Sequence, residues 1–161
     1  METNVYRNQH DYPPIQVAGK NREYATAMLS NVGGSNSEMS AVSLYFYNNL
    51  ITENEIAQAF HQISIVEMHH LKIFGKLALE LGADPRLWER KRNMVWWTPS
   101  YNKYPTQLKV LLQNSLQGEL AAIEKYERQA SVIKDENIVE NLHRIILDEQ
   151  IHVEIFKEML T

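Results

Sequence analysis

The stretch SIVEMHHLKIF, residues 64–74, decides the fold of this chain, because it places polar residues on the apolar face of a long helix. Apolar residues recur in steps of four and three on both sides of its centre, at Ile56, Phe60, Ile63, Phe74 and Leu77. This spacing is typical of a helix that packs in a bundle. Glu67 and His70 lie between the two runs on the same face. The sequence therefore predicts a helix over about 53–81 with a carboxylate and an imidazole in its buried stripe.

The composition excludes several classes of function. The chain has 161 residues, 44% of them hydrophobic and 22% charged, with a net charge of -4 and no cysteine. Disulfides, thiolate metal sites and a cysteine nucleophile are therefore excluded. Acidic and basic residues are interspersed, which argues against a nucleic-acid partner. No apolar run reaches the length of a membrane span, and the first residues lack the apolar core of a signal peptide, so we expect a cytoplasmic protein with no membrane partner.

Three further helices are expected around the first. The breaker NVGGSNS, residues 31–37, precedes a helix from Ser37 to about residue 49. The other two begin near Thr106 and after KDEN, the latter running over about 136–160. Thr52 and Glu55 have the spacing of a capping box at the start of the 53–81 helix.

The fold class that follows is all-α, an antiparallel four-helix bundle with a long crossover between its second and third helices. The crossover, residues 83–105, contains all three tryptophans, so we expect its aromatic rings to lie against the bundle or a partner subunit. Residues 1–33 are expected to form an N-terminal arm and residues 34–161 the bundle. Short turns make neighbouring helices antiparallel, whereas the long crossover leaves the second and third helices parallel.

Polar residues interrupt the buried stripe of each predicted helix. Four glutamates and two histidines share this property: Glu38, Glu67, His70, Glu119, Glu149 and His152. The pattern occurs twice, because each half of the chain has one Glu followed seven residues later by a tyrosine, Tyr45 or Tyr126, and one E-x-x-H. The related glutamates are separated by 29 residues in the first half and by 30 in the second. We therefore expect two related helix hairpins that bring all six groups to one level.

Four buried carboxylates repel one another and lose hydration, so they cannot all be ionised without a counter-charge. Two divalent cations provide it, and carboxylate and imidazole ligands suit iron or manganese, and zinc less well. Tyr45 and Tyr126 are then expected to donate hydrogen bonds to ligand carboxylates. Asp148, directly before Glu149, is a candidate to orient a histidine ligand. His69 faces about 100° away from His70 along the helix and is not expected to be a ligand.

Four segments of the sequence resemble the ferritin-like carboxylate-bridged di-metal superfamily, especially its rubrerythrin and bacterioferritin branches. They are SEMSAVSLY (37–45), SIVEMHHLKIFGKL (64–77), GELAAIEKYERQ (118–129) and ILDEQIHVEIF (146–156). The resemblance implies that the same four glutamates and two histidines bind two iron ions, with manganese as an alternative. Because the chain has no cysteine for a rubredoxin-type iron site, the resemblance implies electron delivery by a separate donor protein.

The resemblance also implies a rubrerythrin-like peroxidase, an oxidoreductase that acts on hydrogen peroxide or dioxygen. Three alternatives remain open from the sequence: a ferroxidase or iron-storage protein of bacterioferritin type, a manganese-catalase-like dismutase, and a non-catalytic helical module. The apolar surface expected around Trp88, Trp96 and Trp97 favours a homodimer.

Overall fold

The computed structural model describes residues 6–161 of the chain. Its elements in chain order are α1 (Arg22–Gly33), α2 (Glu38–Ile51), α3 (Asn54–Glu80), β1 (Trp88–Arg90), β2 (Met94–Trp96), a 3₁₀ turn (Pro99–Tyr101), α4 (Leu108–Val132) and α5 (Glu136–Met159). Helices α2 to α5 are the four that the sequence predicts, and they form a four-helix bundle. None of the helices in the described part of the chain has the length and hydrophobicity needed to cross a membrane.

The bundle consists of two helix hairpins. Helix α2 packs along α3, and α4 packs along α5, with only a few residues in each turn. The start of α2 lies where the sequence predicts it, because Ser37 is its N-cap and the Ser37 side chain accepts a hydrogen bond from the Ser40 backbone amide. Asp135 caps α5 in the same way by accepting from the Asn137 amide.

The predicted capping box at the start of α3 is wrong. The N-cap of α3 is Glu53, and no side chain caps that end of the helix. The Thr52 hydroxyl instead donates to the Asn48 carbonyl at the end of α2, at 2.6 Å. The turn is completed by Asn54 in the left-handed region, with φ of 55°, a conformation that asparagine tolerates better than most residues. The turn is too short for Thr52 to serve both helices.

Two apolar clusters fill the bundle, one on each side of the predicted polar level. One cluster contains Phe74 of α3 and Leu142 of α5, and the other contains Phe60 of α3 and Phe156 of α5. Along both helices the Glu-x-x-His pair lies between these clusters in sequence. The polar residues are therefore enclosed by apolar side chains above and below.

The N-terminal arm contains a regular helix that packs against the bundle. Asn21 caps α1, and the buried side chains of Met28, Leu29 and Val32 belong to the same apolar cluster as Phe74. The buried side chain of Asn31 exchanges two hydrogen bonds with the Gln129 amide of α4, at 2.7 and 2.9 Å. Helix α1 is therefore joined to the bundle by both apolar and polar contacts.

The crossover is not a plain connection, because part of it folds into a β-hairpin that the sequence analysis did not predict. Trp88 pairs with Trp96 across the antiparallel strands, and their ring centroids lie 5.0 Å apart. Cross-strand aromatic pairs of this kind stabilise short hairpins. The Trp97 indole donates to the Ser40 hydroxyl at 3.0 Å, so this ring contacts the bundle as expected. A Cβ at Gly33 would lie 2.5 Å from the Trp88 nitrogen, so only glycine permits this approach of α1 to β1.

Candidate metal centre

The six polar residues that the sequence places in the helix stripes lie together in the structure. Each comes from the predicted helix, and each is at most 2% exposed: Glu38, Glu67, His70, Glu119, Glu149 and His152. Helices α2 and α4 each contribute one glutamate, and α3 and α5 each contribute a Glu-x-x-His pair. The i, i+3 spacing puts both members of a pair on one helix face.

One group of four surrounds the Nδ1 atom of His70. This atom lies 3.0 Å from Glu67 Oε2, 3.3 Å from Glu149 Oε1 and 3.8 Å from Glu38 Oε1. One nitrogen and three carboxylates thus converge from α2, α3 and α5.

The second group surrounds Nδ1 of His152 in the same way. This atom lies 3.1 Å from Glu149 Oε2, 3.3 Å from Glu67 Oε1 and 3.7 Å from Glu119 Oε1. In each group of four, the potential ligand atoms lie within 4.8 Å of one another. Glu67 and Glu149 belong to both groups and present one oxygen to each imidazole. The arrangement can hold two cations side by side with two shared carboxylates.

The two tyrosines lie beside the glutamates that belong to one group only. The Tyr45 hydroxyl of α2 donates to Glu119 of α4 at 2.6 Å, and the Tyr126 hydroxyl of α4 donates to Glu38 of α2 at 2.5 Å. Burial, and then the charge of the neighbouring glutamates, raises the pKa of both phenols well above their usual value. They therefore remain neutral hydrogen-bond donors.

Burial and the short distances between the six groups shift the pKa of each of them. Desolvation, and then the repulsion of Glu67 and Glu149, raises the pKa of Glu38 and of Glu119 well above the usual value. The nearby imidazoles overcome desolvation and lower the pKa of the two shared carboxyls. The carboxylates likewise overcome desolvation and raise the pKa of both histidines. Without a cation, the protonated forms of Glu38, Glu119 and both imidazoles are therefore favoured.

The Nε2 atoms of the two histidines face away from the carboxylates. His70 Nε2 lies 2.9 Å from Asp148 Oδ2, so the candidate role of Asp148 agrees with its position. The hydrogen bonds from His70, Tyr12 and Arg144 lower the pKa of Asp148 in spite of its burial. His152 Nε2 instead lies 2.8 Å from the backbone carbonyl oxygen of Tyr6. A fixed acceptor at Nε2 leaves Nδ1 as the ligand atom.

The residues fit a pair of divalent cations. Oε1 of Glu67 is buried and makes no hydrogen bond in the described part of the chain, although Nδ1 of His152 lies 3.3 Å away, and a cation between the two atoms would satisfy this oxygen. Four carboxylates and two imidazoles match the charge of two divalent ions and the ligand preference of iron or manganese. Hydrogen bonds alone leave this oxygen unsatisfied.

A cavity of about 340 Å³ lies between α2 and α4 and reaches the cluster. Glu38, Glu67, Glu119 and Glu149 line its inner end. Tyr101, Asn102 and Lys103 of the crossover line another part of its wall, and Gly118 of α4 does so as well. The side chain of Asn102 donates to the Ser40 carbonyl at 3.1 Å, which anchors the crossover to α2. The cavity is large enough for several water molecules or a small oxidant.

The remaining histidines lie outside the cluster, because His10, His61, His69 and His143 are exposed. The residues that the sequence analysis missed are Arg144, Tyr12 and the Tyr6 carbonyl. Arg144 has a signal in the sequence, since it precedes Asp148 by one helical turn, and the two form a buried ion pair at 2.7 Å. The Tyr6 carbonyl has none, because a backbone carbonyl is not distinguished by residue type, and the Tyr12 hydroxyl has none, because no sequence period relates it to the distant Asp148.

Two solved structures share the fold of this chain. KatB, a manganese catalase from Anabaena, superposes with a TM-score of 0.83 and 21% identity, over 96% of this chain and 78% of that chain. A dodecameric thioferritin, a bacterioferritin-related protein from Bacteroides fragilis, superposes with a TM-score of 0.66 and 20% identity, over 88% of this chain and 86% of that chain. A comparison with curated proteins gives no match.

The family model described as Rubrerythrin matches residues 34–160, a range that includes all six clustered residues and both tyrosines. The match agrees with the fold of the bundle and with the resemblance carried by the four sequence segments. The chain belongs to the rubrerythrin family of the ferritin-like superfamily.

Proposed function

We propose that the chain is an oxidoreductase with a binuclear metal centre and that it reduces hydrogen peroxide, with dioxygen as the alternative oxidant. One observation carries the proposal: Glu67 and Glu149 each present one oxygen to the His70 group and the other to the His152 group. A carboxylate shared in this way can bind two ions that lie side by side. Two redox-active ions can together exchange the two electrons that the reduction of peroxide requires.

The proposed ligands divide into two sets. Glu38 and His70 would hold one ion, Glu119 and His152 the other, and Glu67 and Glu149 would bridge them. We propose iron as the native metal, with manganese as the alternative and zinc disfavoured, since zinc has no redox chemistry. When bound, the metal pair supplies and accepts the two electrons that convert peroxide to water.

The residues around the centre orient its carboxylates, keep bulk water away from it and leave a route by which the oxidant can enter. Tyr45 and Tyr126 hold Glu119 and Glu38 by hydrogen bonds, so these two carboxylates keep one orientation while charge at the centre changes. The apolar clusters on either side of the polar level keep bulk solvent away. The cavity between α2 and α4 reaches the carboxylates and is large enough to admit a molecule of the size of peroxide.

A second candidate is peroxide dismutation, which is supported by the similarity to the manganese catalase KatB over 96% of this chain. Dismutation converts two molecules of peroxide into two of water and one of dioxygen, and it needs no electron donor. Peroxidase turnover converts one peroxide, two electrons and two protons into two waters. It needs the separate donor protein that the lack of cysteine implies.

The test is peroxide consumption by protein loaded separately with iron and with manganese, followed with an oxygen electrode. Consumption that needs an added reductant and releases no dioxygen is expected for the peroxidase. Release of one dioxygen for every two peroxides would move the assignment to dismutation. Glu119→Gln removes a proposed metal ligand and should lower peroxide consumption. Glu124→Gln is its matched control and should leave consumption unchanged, because Glu124 lies on α4 with an exposed side chain. Absence of both reactions from protein with two bound ions would overturn the proposal.

Self-association is part of the proposed arrangement. Trp96 is 59% exposed although Trp88 packs against it, and Phe46 and Leu50 of α2 are 61% and 65% exposed. Apolar side chains with this exposure favour contact with a second copy, and a homodimer remains our prediction.

A further inference from the structure

The two candidate histidine ligands have different partners at Nε2. His70 faces the Asp148 carboxylate at 2.9 Å, whereas His152 faces the Tyr6 carbonyl oxygen at 2.8 Å. A carbonyl oxygen can only accept, so Nε2 of His152 carries a proton, and Nδ1, which faces the carboxylates, is the atom left to bind a cation. The acceptor is charged at one histidine and neutral at the other.

The internal repeat explains why a backbone group is needed. Asp148, the partner of His70, directly precedes Glu149 of the second Glu-x-x-His pair. The equivalent residue before Glu67 is Val66, which has no acceptor. His152 therefore lacks the side-chain partner that the repeat would give it, and the N-terminal arm supplies the Tyr6 carbonyl in that place.

The same part of the arm also holds Asp148. The Asn8 backbone amide donates to Asp148 Oδ1 at 2.7 Å, and the Tyr12 hydroxyl donates to Oδ2. Arg144 donates to Oδ1 at 2.7 Å, and it donates to the carbonyl oxygens of Asn8 and His10, each at 2.9 Å. The Arg144 guanidinium also lies 3.9 Å from the centre of the Tyr12 ring. Residues 6–12 thus contact His152 directly and reach His70 through Asp148.

We infer that residues 6–12 are a structural part of the metal centre and make its two metal positions unequal. The His70 position has a charged acceptor on α5 that is held by Arg144 of the same helix as well as by Asn8 and Tyr12 of the arm, whereas the acceptor of the His152 position is itself a neutral carbonyl of the arm. A carboxylate partner makes an imidazole a better ligand than a carbonyl does. The His152 position therefore binds its ion more weakly and empties first when the arm is loosened. The inference rests on the proposed binuclear centre.

The experiment loosens the arm at Tyr6 and counts manganese ions. The Tyr6 side chain is buried in the apolar cluster with Phe60 and Phe156, so Tyr6→Ala removes the anchor of the carbonyl without altering any proposed ligand. Mn²⁺ binding to the full chain is measured against a competing chelator. Electron paramagnetic resonance distinguishes a coupled pair of ions from a single ion with a six-line spectrum. Tyr47→Ala is the control, since Tyr47 is a partly buried aromatic that packs against Tyr104.

Tyr6→Ala is expected to weaken one Mn²⁺ equivalent about 10–100-fold and to give the single-ion spectrum, because loss of an outer-shell partner has effects of this size. Val66→Asp in the same background is expected to restore the second equivalent, since it places the missing acceptor where the repeat requires it. The double variant Tyr6→Ala and Glu38→Gln should lose both ions, because Glu38 belongs to the other metal position. The double variant Tyr6→Ala and Glu119→Gln should lose one ion only, because both changes affect the His152 position.

Two tight equivalents in Tyr6→Ala, or an equal loss at both positions, would overturn the inference and leave the binuclear centre intact. Failure of the wild-type protein to bind Mn²⁺ or Fe²⁺ would overturn the proposed function itself. Thermal unfolding of the metal-free variants shows whether each variant is folded. If Tyr6→Ala is folded, a lower ion count reflects weaker binding and not a loss of structure.

Discussion

The hydroxyl of Tyr45 on α2 lies 2.6 Å from Oε1 of Glu119 on α4, so one helix hairpin holds a carboxylate of the other. The reciprocal bond, from Tyr126 on α4 to Glu38 on α2, makes the relationship two-fold symmetric. These bonds cross the cavity side of the bundle and join the two hairpins at the level of the proposed metal pair. Each tyrosine therefore orients a glutamate of the opposite hairpin and so affects the metal position that this glutamate would hold.

Tyr45→Phe is expected to weaken one metal equivalent about 10–100-fold, because Glu119 loses the donor that orients it. The loss of this buried hydrogen bond should also cost about 1–3 kcal/mol of stability. Chelator competition and thermal unfolding measure the two effects. Tyr104→Phe is the matched control, since it removes a tyrosine hydroxyl bond to the Pro99 carbonyl in the crossover. Equal effects of both substitutions on metal affinity would contradict the assigned role.

Glu67→Gln and Glu38→Gln should differ in the number of ions that they remove. Glu67 faces both histidines, so its substitution should abolish tight binding at both positions. Glu38 belongs to the His70 group alone, so its substitution should leave one ion at the other position. Metal content by mass spectrometry, after passage through a desalting column, gives the count. Loss of the same number of ions from both variants would argue against shared carboxylates.

Removal of the metal should lower the thermal stability of the protein. A ligand present at 100 times its dissociation constant stabilises the folded state by about 2.7 kcal/mol. For a chain of this length, that corresponds to a decrease of about 5–10 °C in Tm for each ion that a chelator strips. Differential scanning calorimetry with and without the chelator measures this change in Tm. In the double variant Glu67→Leu and Glu149→Leu the chelator should have no effect, because no tight site remains.

Substitution at Gly118 tests the cavity as the route of access. A Cβ at Gly118 would meet no atom within 4 Å, and the residue lines the cavity. Gly118→Leu should therefore narrow the route and slow peroxide consumption severalfold at unchanged metal content. Gly75→Leu is the control, since Gly75 of α3 is equally open but does not line the cavity. Both substitutions should raise stability by up to about 1 kcal/mol, because leucine favours helix more than glycine does.

Sedimentation velocity tests the predicted homodimer. A dimer that becomes monomeric on Trp96→Ser would place the exposed indole in the interface, since Trp96 is 59% exposed in the single chain. The control is Trp88→Phe, which keeps an aromatic ring in the hairpin. A large closed assembly instead of a dimer would favour iron storage over peroxide reduction.

Much of the fold and the six proposed ligands followed from helical periodicity. A buried stripe repeats every three or four residues, so a carboxylate such as Glu67 on that stripe faces the interior whatever the neighbouring helix is. The repeat of Glu-x-x-His at residues 67–70 and 149–152 indicated that both pairs lie at one level. The burial of all six groups agrees with this reasoning.

Local signals were less reliable where two elements compete for one residue. Thr52 had the spacing of an N-cap, but the turn between α2 and α3 is so short that its hydroxyl bonds to the end of α2. The β-hairpin of the crossover likewise depends on the pairing of Trp88 with Trp96 and on the contact of Trp97 with Ser40. Neither contact has a period that can be recognised in the sequence.

The sequence by itself determined which side chains face the interior of the bundle and how many charges they bring there, because helix geometry fixes the direction of a side chain from its position alone. Only the tertiary structure decided the partner of each group. Tyr45 reaches across to Glu119, His70 meets Asp148, and His152 meets a carbonyl of the arm. Such pairings depend on the distance between atoms that are far apart in the chain, and that distance is set by packing.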